Sequence, residues 1–117
     1  MATKGIILDA AQSFWNATLD ELDKVCNGCG PKKFGWLIPD VILGIDIGVA
    51  CDAHDWDYNE GGDESDRLVA DRRILKNMLA VIDAYHLSKS VRIRCKMMAY
   101  QYFAGVRFFG WTCFNYK

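Results

Sequence analysis

The sequence predicts an all-α protein, a small bundle in which two antiparallel helices follow a glycine-rich loop. Three observations carry that expectation. Apolar residues recur at three- and four-residue steps through most of the chain. The strict alternation of a half-buried strand matches almost nowhere. The intervals between periodic stretches hold glycine, proline and N-capping residues, which punctuate helices.

Ile7, Leu8, Ala11, Phe14, Trp15, Thr18, Leu19 and Leu22 follow helical spacing, so residues about 5–25 read as one amphipathic helix. From Cys26 to Pro39 the glycines at 28, 30 and 35 and the prolines at 31 and 39 mark a loop. Asp46 is placed to cap a second helix that stops at Gly61-Gly62. Ser65 or Asp66 opens a third helix reaching about Tyr85, and Ser88 or Ser90 a fourth reaching about Phe109.

The 117 residues suffice for one domain with one core, residues 1–117. Half of them are hydrophobic, which excludes a disordered chain. A net charge of -1 argues against bulk electrostatic binding of nucleic acid. The N-terminus offers neither a signal-peptide core nor a transmembrane span, so any export is expected to use a route without a signal. Five cysteines are an odd number, so at least one thiol escapes pairing within the chain.

Two helical stripes are each interrupted by an ionisable group. Leu68, Asp71, Leu75, Met78 and Ile82 share a face of the third helix, and Ile47, Cys51, His54 and Tyr58 share one of the second. The Gly-Gly break lets these helices fold back on one another. An unpaired carboxylate in such a seam costs several kcal/mol. Asp71 is therefore expected to meet His54 or Tyr58 across the pair; the bland alternative is a solvated Asp71 at the edge of its stripe, beside Arg72.

His54 and Asp55 are adjacent, so their side chains leave the helix about 100° apart and address different partners. The loop Asn27-Gly28-Cys29-Gly30-Pro31 can turn backbone carbonyls toward one point. Carbonyls with a carboxylate are the donor set a hard cation such as calcium takes.

Cys51-x-x-His54-Asp55-x-x-Tyr58, with Asn27-Gly28-Cys29-Gly30 before it and Ala70-Asp71-Arg72 after it, resembles the secreted-type phospholipase A2 superfamily in a small bacterial or phage-like form. The likeness covers residues 26 to about 75. It implies a calcium-dependent hydrolase acting on the sn-2 acyl ester of glycerophospholipids at a membrane or micelle surface. In that reading His54 is the general base, Asp71 orients it, Tyr58 supports the pair and the Gly30 N–H is an oxyanion donor. Asp55 and the carbonyls of Gly28, Gly30 and Lys32 would hold the Ca2+. Lys32 stands where the family's loop commonly carries a further glycine, and the run from Lys33 to Asp46 is longer than in many members. The resemblance also implies a Cys29–Cys51 bridge.

Two other readings use the same residues. Cys26-x-x-Cys29 and Cys51-x-x-His54 have the spacing of a structural Cys3His zinc site. A phospholipase-like scaffold can also serve as a non-catalytic membrane-binding module. The C-terminal aromatics Tyr100, Tyr102, Phe103, Phe108, Phe109, Trp111, Phe114 and Tyr116 read first as core packing, although Arg92, Arg94, Lys96 and Arg107 near them suit an anionic lipid surface. Phe34, Trp36, Leu37 and Ile38 form an alternative interfacial patch beside the site. Trp56 reads as packing and His86 as complementing a helix end.

Overall fold

The architecture is that of a computed structural model and describes residues 9–26 and 41–117. Helices dominate: α1 (Gln12–Asn16), α2 (Leu19–Cys26), α3 (Gly48–Glu60), α4 (Glu64–Asp83) and α5 (Lys89–Phe109), closed by a 3-10 turn at Gly110–Thr112. The all-α class is as expected. A two-residue hairpin, β1 (Val41–Ile42) with β2 (Ile45–Asp46), precedes α3 and turns through Leu43 and Gly44, both at positive φ.

The first helix breaks where a single one was expected. Ala17 is extended (ψ 146°), and Thr18 then begins again as a cap: its Oγ1 accepts the Glu21 N–H at 3.2 Å while Glu21 Oε1 accepts the Thr18 N–H at 3.1 Å. This reciprocal capping box satisfies two donors that an uninterrupted helix would bond to the preceding turn. Residues 5–8 of the expected helix, the loop from Asn27 to Pro39 and the patch Phe34 to Ile38 lie outside the described residues.

The other boundaries follow local chemistry. Ile47 is the N-cap of α3, and Asp46 Oδ1 accepts the Gly48 N–H at 2.8 Å from one residue further out than expected. Gly61 (φ 72°) and Gly62 (φ 135°) end α3 in backbone conformations that L side chains rarely adopt. Asp63, two or three residues before the expected start, caps α4 in a box with Asp66. Ser88 caps α5 by accepting the Val91 N–H.

The main core is shared by the hairpin and α3 to α5, with Ile42, Ile47, Met78, Val81, Ile82 and Cys95 sealed from solvent. Cys51 packs against this core, and the expected Cys29–Cys51 bridge falls on Cys29, outside the described residues. Cys113 is disulfide-bonded. Phe14 and Trp56 form a smaller cluster that seats α1 on α3, and the Trp56 indole N–H donates to Ser13 Oγ at 2.9 Å. Buried Asn77 exchanges two hydrogen bonds with the Asp9 backbone, tying the segment before α1 to α4. Among the described residues no helix is long and apolar enough to cross a membrane.

The aromatics at the end of the chain are not mainly core. Phe114 is buried, Tyr102 and Phe103 are half-buried, and Tyr100, Phe108, Phe109, Trp111 and Tyr116 are exposed. Three of the four cations expected to face outward are paired with carboxylates of the same chain. Arg92 and Lys96 bind Asp83, and Arg107 reaches the centre of the α3–α4 seam.

Candidate functional site: a buried carboxylate that anchors a histidine

The Gly61-Gly62 turn returns α4 against α3 and brings the two interrupted stripes together. Asp71 is fully buried, which overturns the solvated alternative. Its Oδ1 lies 2.8 Å from His54 Nε2 and accepts the Tyr58 O–H at 2.6 Å. His54 and Tyr58, one helical turn apart, are in ring contact with centroids 4.2 Å apart and planes tilted by 45°.

An ionised carboxylate only accepts hydrogen bonds. Nε2 of His54 must therefore carry the proton, which leaves Nδ1 of the neutral ring with its lone pair. Burial alone would raise the pKa of Asp71, but bonds from His54, Tyr58 and Arg107 outweigh it and hold the carboxyl below its usual range. Burial, then the Asp71 charge, push the Tyr58 phenol well above its ordinary value, so it remains a donor.

Two arginines complete the cluster. Arg107 Nη1 donates to Asp71 Oδ2 at 2.6 Å, and Arg67 Nη1 stands 3.6 Å from the same oxygen. Buried Arg67 also donates to Glu64 Oε1 at 2.6 Å and to the Val106 carbonyl at 3.1 Å, joining α4 to the end of α5. Glu64 accepts the Tyr116 O–H at 2.9 Å. Arg67 could have been found as the i,i+4 neighbour of Asp71. Arg107, distant in sequence and set among aromatics, gave no local signal.

The roof of the site is segment 110–117. Phe114 meets Tyr58 edge-to-face at 5.1 Å, and the Asn115 N–H donates to the Tyr58 carbonyl at 3.1 Å. Gly110 sits so close to Tyr58 that a Cβ there would collide with the phenol oxygen. Trp56 and His86 take no part: the first packs as expected, and the second lies exposed in the α4–α5 connection.

Of the remaining expected site residues, Asp55 is half-buried on α3, around the helix from His54. Gly28, Gly30 and Lys32 lie outside the described residues. Among the described residues no three His, Cys, Asp or Glu side chains could together hold a metal. Asp55 supplies one hard oxygen donor, which suits calcium rather than a thiolate-preferring ion. Of the zinc set, Cys51 and His54 are described, and His54 commits Nε2 to Asp71. Cys29 and the side chain of Cys26 lie outside the described residues. An open cleft of about 570 Å³ between α1, α2 and α3 is lined by Ser13, Lys24, Trp56 and Glu60, among others, and is bordered by none of His54, Tyr58 and Asp71.

Fold and site together define a class: an all-helical protein whose helix hairpin buries a carboxylate-anchored histidine. The chain matches no protein-family model, no curated protein and no solved structure.

Proposed function

We propose that the protein is a calcium-dependent hydrolase of glycerophospholipid acyl esters, acting at the sn-2 position in the manner of the phospholipase A2 superfamily that its motifs resemble. The observation that carries the proposal is the 2.8 Å contact between His54 Nε2 and Asp71 Oδ1. It fixes the tautomer in which Nδ1 can take a proton.

In this reading Nδ1 of His54 removes a proton from the water that attacks the ester carbonyl, and later returns it to the leaving alcohol. Asp71 stabilises the imidazolium formed in between without becoming protonated, as expected for a carboxyl held below its usual range. Tyr58 shares the same carboxylate oxygen and, in tilted contact with the imidazole, limits its rotation. Asp55 would hold calcium with the carbonyls of Gly28, Gly30 and Lys32, and the Gly30 N–H would face the oxyanion. When bound, calcium supplies Lewis-acid polarisation of the ester carbonyl and a counter-charge for the phosphate. No serine nucleophile is needed.

The test is hydrolysis of mixed phospholipid vesicles with calcium or a chelator, comparing wild type with His54→Ala and Asp55→Asn. Turnover is expected to require calcium and to vanish in His54→Ala. Activity that survives chelation, or that both variants retain, overturns the mechanism.

A further inference from the structure

Helix α5 has two apolar faces, and the fold uses only one. Cys95, Ala99 and Val106 face the core and are buried. On the opposite side Ile93, Met97, Tyr100, Ala104 and Phe108 recur at three- or four-residue steps, and Trp111 prolongs the line into the 3-10 turn. All six are exposed: Met97 by 58%, Phe108 by 74% and Trp111 by 60%. A continuous apolar line along a 21-residue helix is far from the scattered single apolar residues of an ordinary surface.

Charge decides between the occupants such a line could take. From Lys89 to Lys117 the sequence contains six basic residues and no Asp or Glu. Exposed Lys89 and Arg94 flank the line near its start. A second copy of α5 would meet the same run of basic residues, and the acids nearest it, Asp83 and Glu64, are already engaged by Arg92, Lys96, Arg67 and Arg107 of their own chain, so the paired charges that register two helices are not on offer. An anionic bilayer answers both properties, taking the apolar line into the headgroup boundary and the flanking cations against its phosphates. Tyr100 and Trp111 are residue types that favour that boundary.

We propose that the outward face of α5 docks the protein on an anionic phospholipid surface, a choice of partner that rests on the phospholipid reading above. The helix lies along the membrane plane. Its inner face stays with the core, and Arg107 stays on Asp71.

Sedimentation with vesicles tests this directly. Wild type is expected to bind phosphatidylglycerol–phosphatidylcholine vesicles at least tenfold more tightly than pure phosphatidylcholine vesicles, and less tightly as salt rises. The variant Ile93→Gln/Met97→Gln/Phe108→Gln, altered only on the exposed face, is expected to lose at least tenfold in binding while keeping its helical circular dichroism. A Lys89→Gln/Arg94→Gln variant is expected to lose the preference for anionic lipid. Equal binding by wild type and the triple variant, or no binding by wild type, overturns the proposal. A wild-type dimer in sedimentation velocity that the triple variant abolishes also overturns it, and assigns the face to a second copy. His54→Ala separates the two readings. It is expected to bind vesicles as wild type does without hydrolysing them, so docking without any hydrolysis by wild type sinks the enzymatic reading alone.

Discussion

Arg107 crosses from α5 to set its guanidinium 2.6 Å from Asp71 Oδ2, on the oxygen that His54 and Tyr58 leave untouched. The carboxylate is thereby divided. One oxygen serves the imidazole and phenol of α3, and the other binds the cationic end of α5. A group placed to tune a histidine is also the joint where three helices meet.

Asp71→Asn is expected to damage both functions. The amide cannot accept from all three donors, His54, Tyr58 and Arg107, and introduces two N–H groups of its own, which leaves buried charge uncompensated. Removing one partner of a buried ion pair costs about 3–5 kcal/mol, and urea unfolding measures it. Turnover is expected to fall roughly 10–100-fold, as for other residues that orient a reacting group, with calcium affinity less affected.

The same carboxylate sets an acid limit. Its folded pKa lies below the unfolded value of about 3.9. Its stabilising contribution is therefore complete above that value and is lost as pH falls through the lower folded one. Stability of wild type measured from neutral pH to about 2 is expected to drop across that window, and Asp71→Asn should show a shallower drop. Identical acid profiles would exclude Asp71 as the linked group.

The tautomer of His54 can be read without any substrate. In 15N-resolved imidazole spectra the neutral ring is expected to carry its proton on Nε2, because the partner there only accepts. A proton found on Nδ1 would remove the base from the proposed mechanism.

Gly110→Ala tests how closely the roof fits. The added methyl would meet the Tyr58 oxygen and the Arg67 guanidinium at once. Overpacking of this kind costs about 1–3 kcal/mol. The expected signature is a shifted Tyr58 ring resonance together with a weakened His54–Tyr58 contact, while α1 and its Phe14–Trp56 cluster are unaffected.

Arg67→Met asks whether the second arginine is structural. The change removes donors from the Val106 carbonyl and Glu64 while keeping much of the side-chain volume. A loss of about 1–3 kcal/mol is expected, with hydrogen exchange accelerating first at the α4–α5 junction.

Much of the helical frame was legible because its signals are local. Ser88 and Gly61-Gly62 are short-range instructions, and Asp71 stood out as the charged residue of an apolar stripe; the Asp63-x-x-Asp66 box, equally local, starts the helix two or three residues before the Ser65 or Asp66 expected. The facing His54 followed from one turn and one periodicity. What escaped was long-range or competing. Thr18-x-x-Glu21 is a cap embedded in an apparently continuous helical pattern, and the capping box won over propagation. Arg107 looked like one of several surface cations, since nothing within a helical turn of it announces Asp71. The aromatic cluster at 100–116 was misread because composition does not say which face of a helix the core already occupies.

Segment 110–117 also bears on the order in which the site is completed. The Gly62 N–H donates to the Asn115 carbonyl, the Lys117 N–H donates to the Gly62 carbonyl, and Asn115 holds the end of α3. Helices α3 and α4 can pair through a three-residue turn, a fast and local event. The returning segment must close a loop of about fifty residues before it caps Tyr58. Contact order thus predicts that the hairpin brings His54 and Asp71 into register before the returning segment covers Tyr58 and seats Arg107, an order that φ-values at Ala70 and Phe114 would test. The chemistry of the pair would mature only when that clasp shuts.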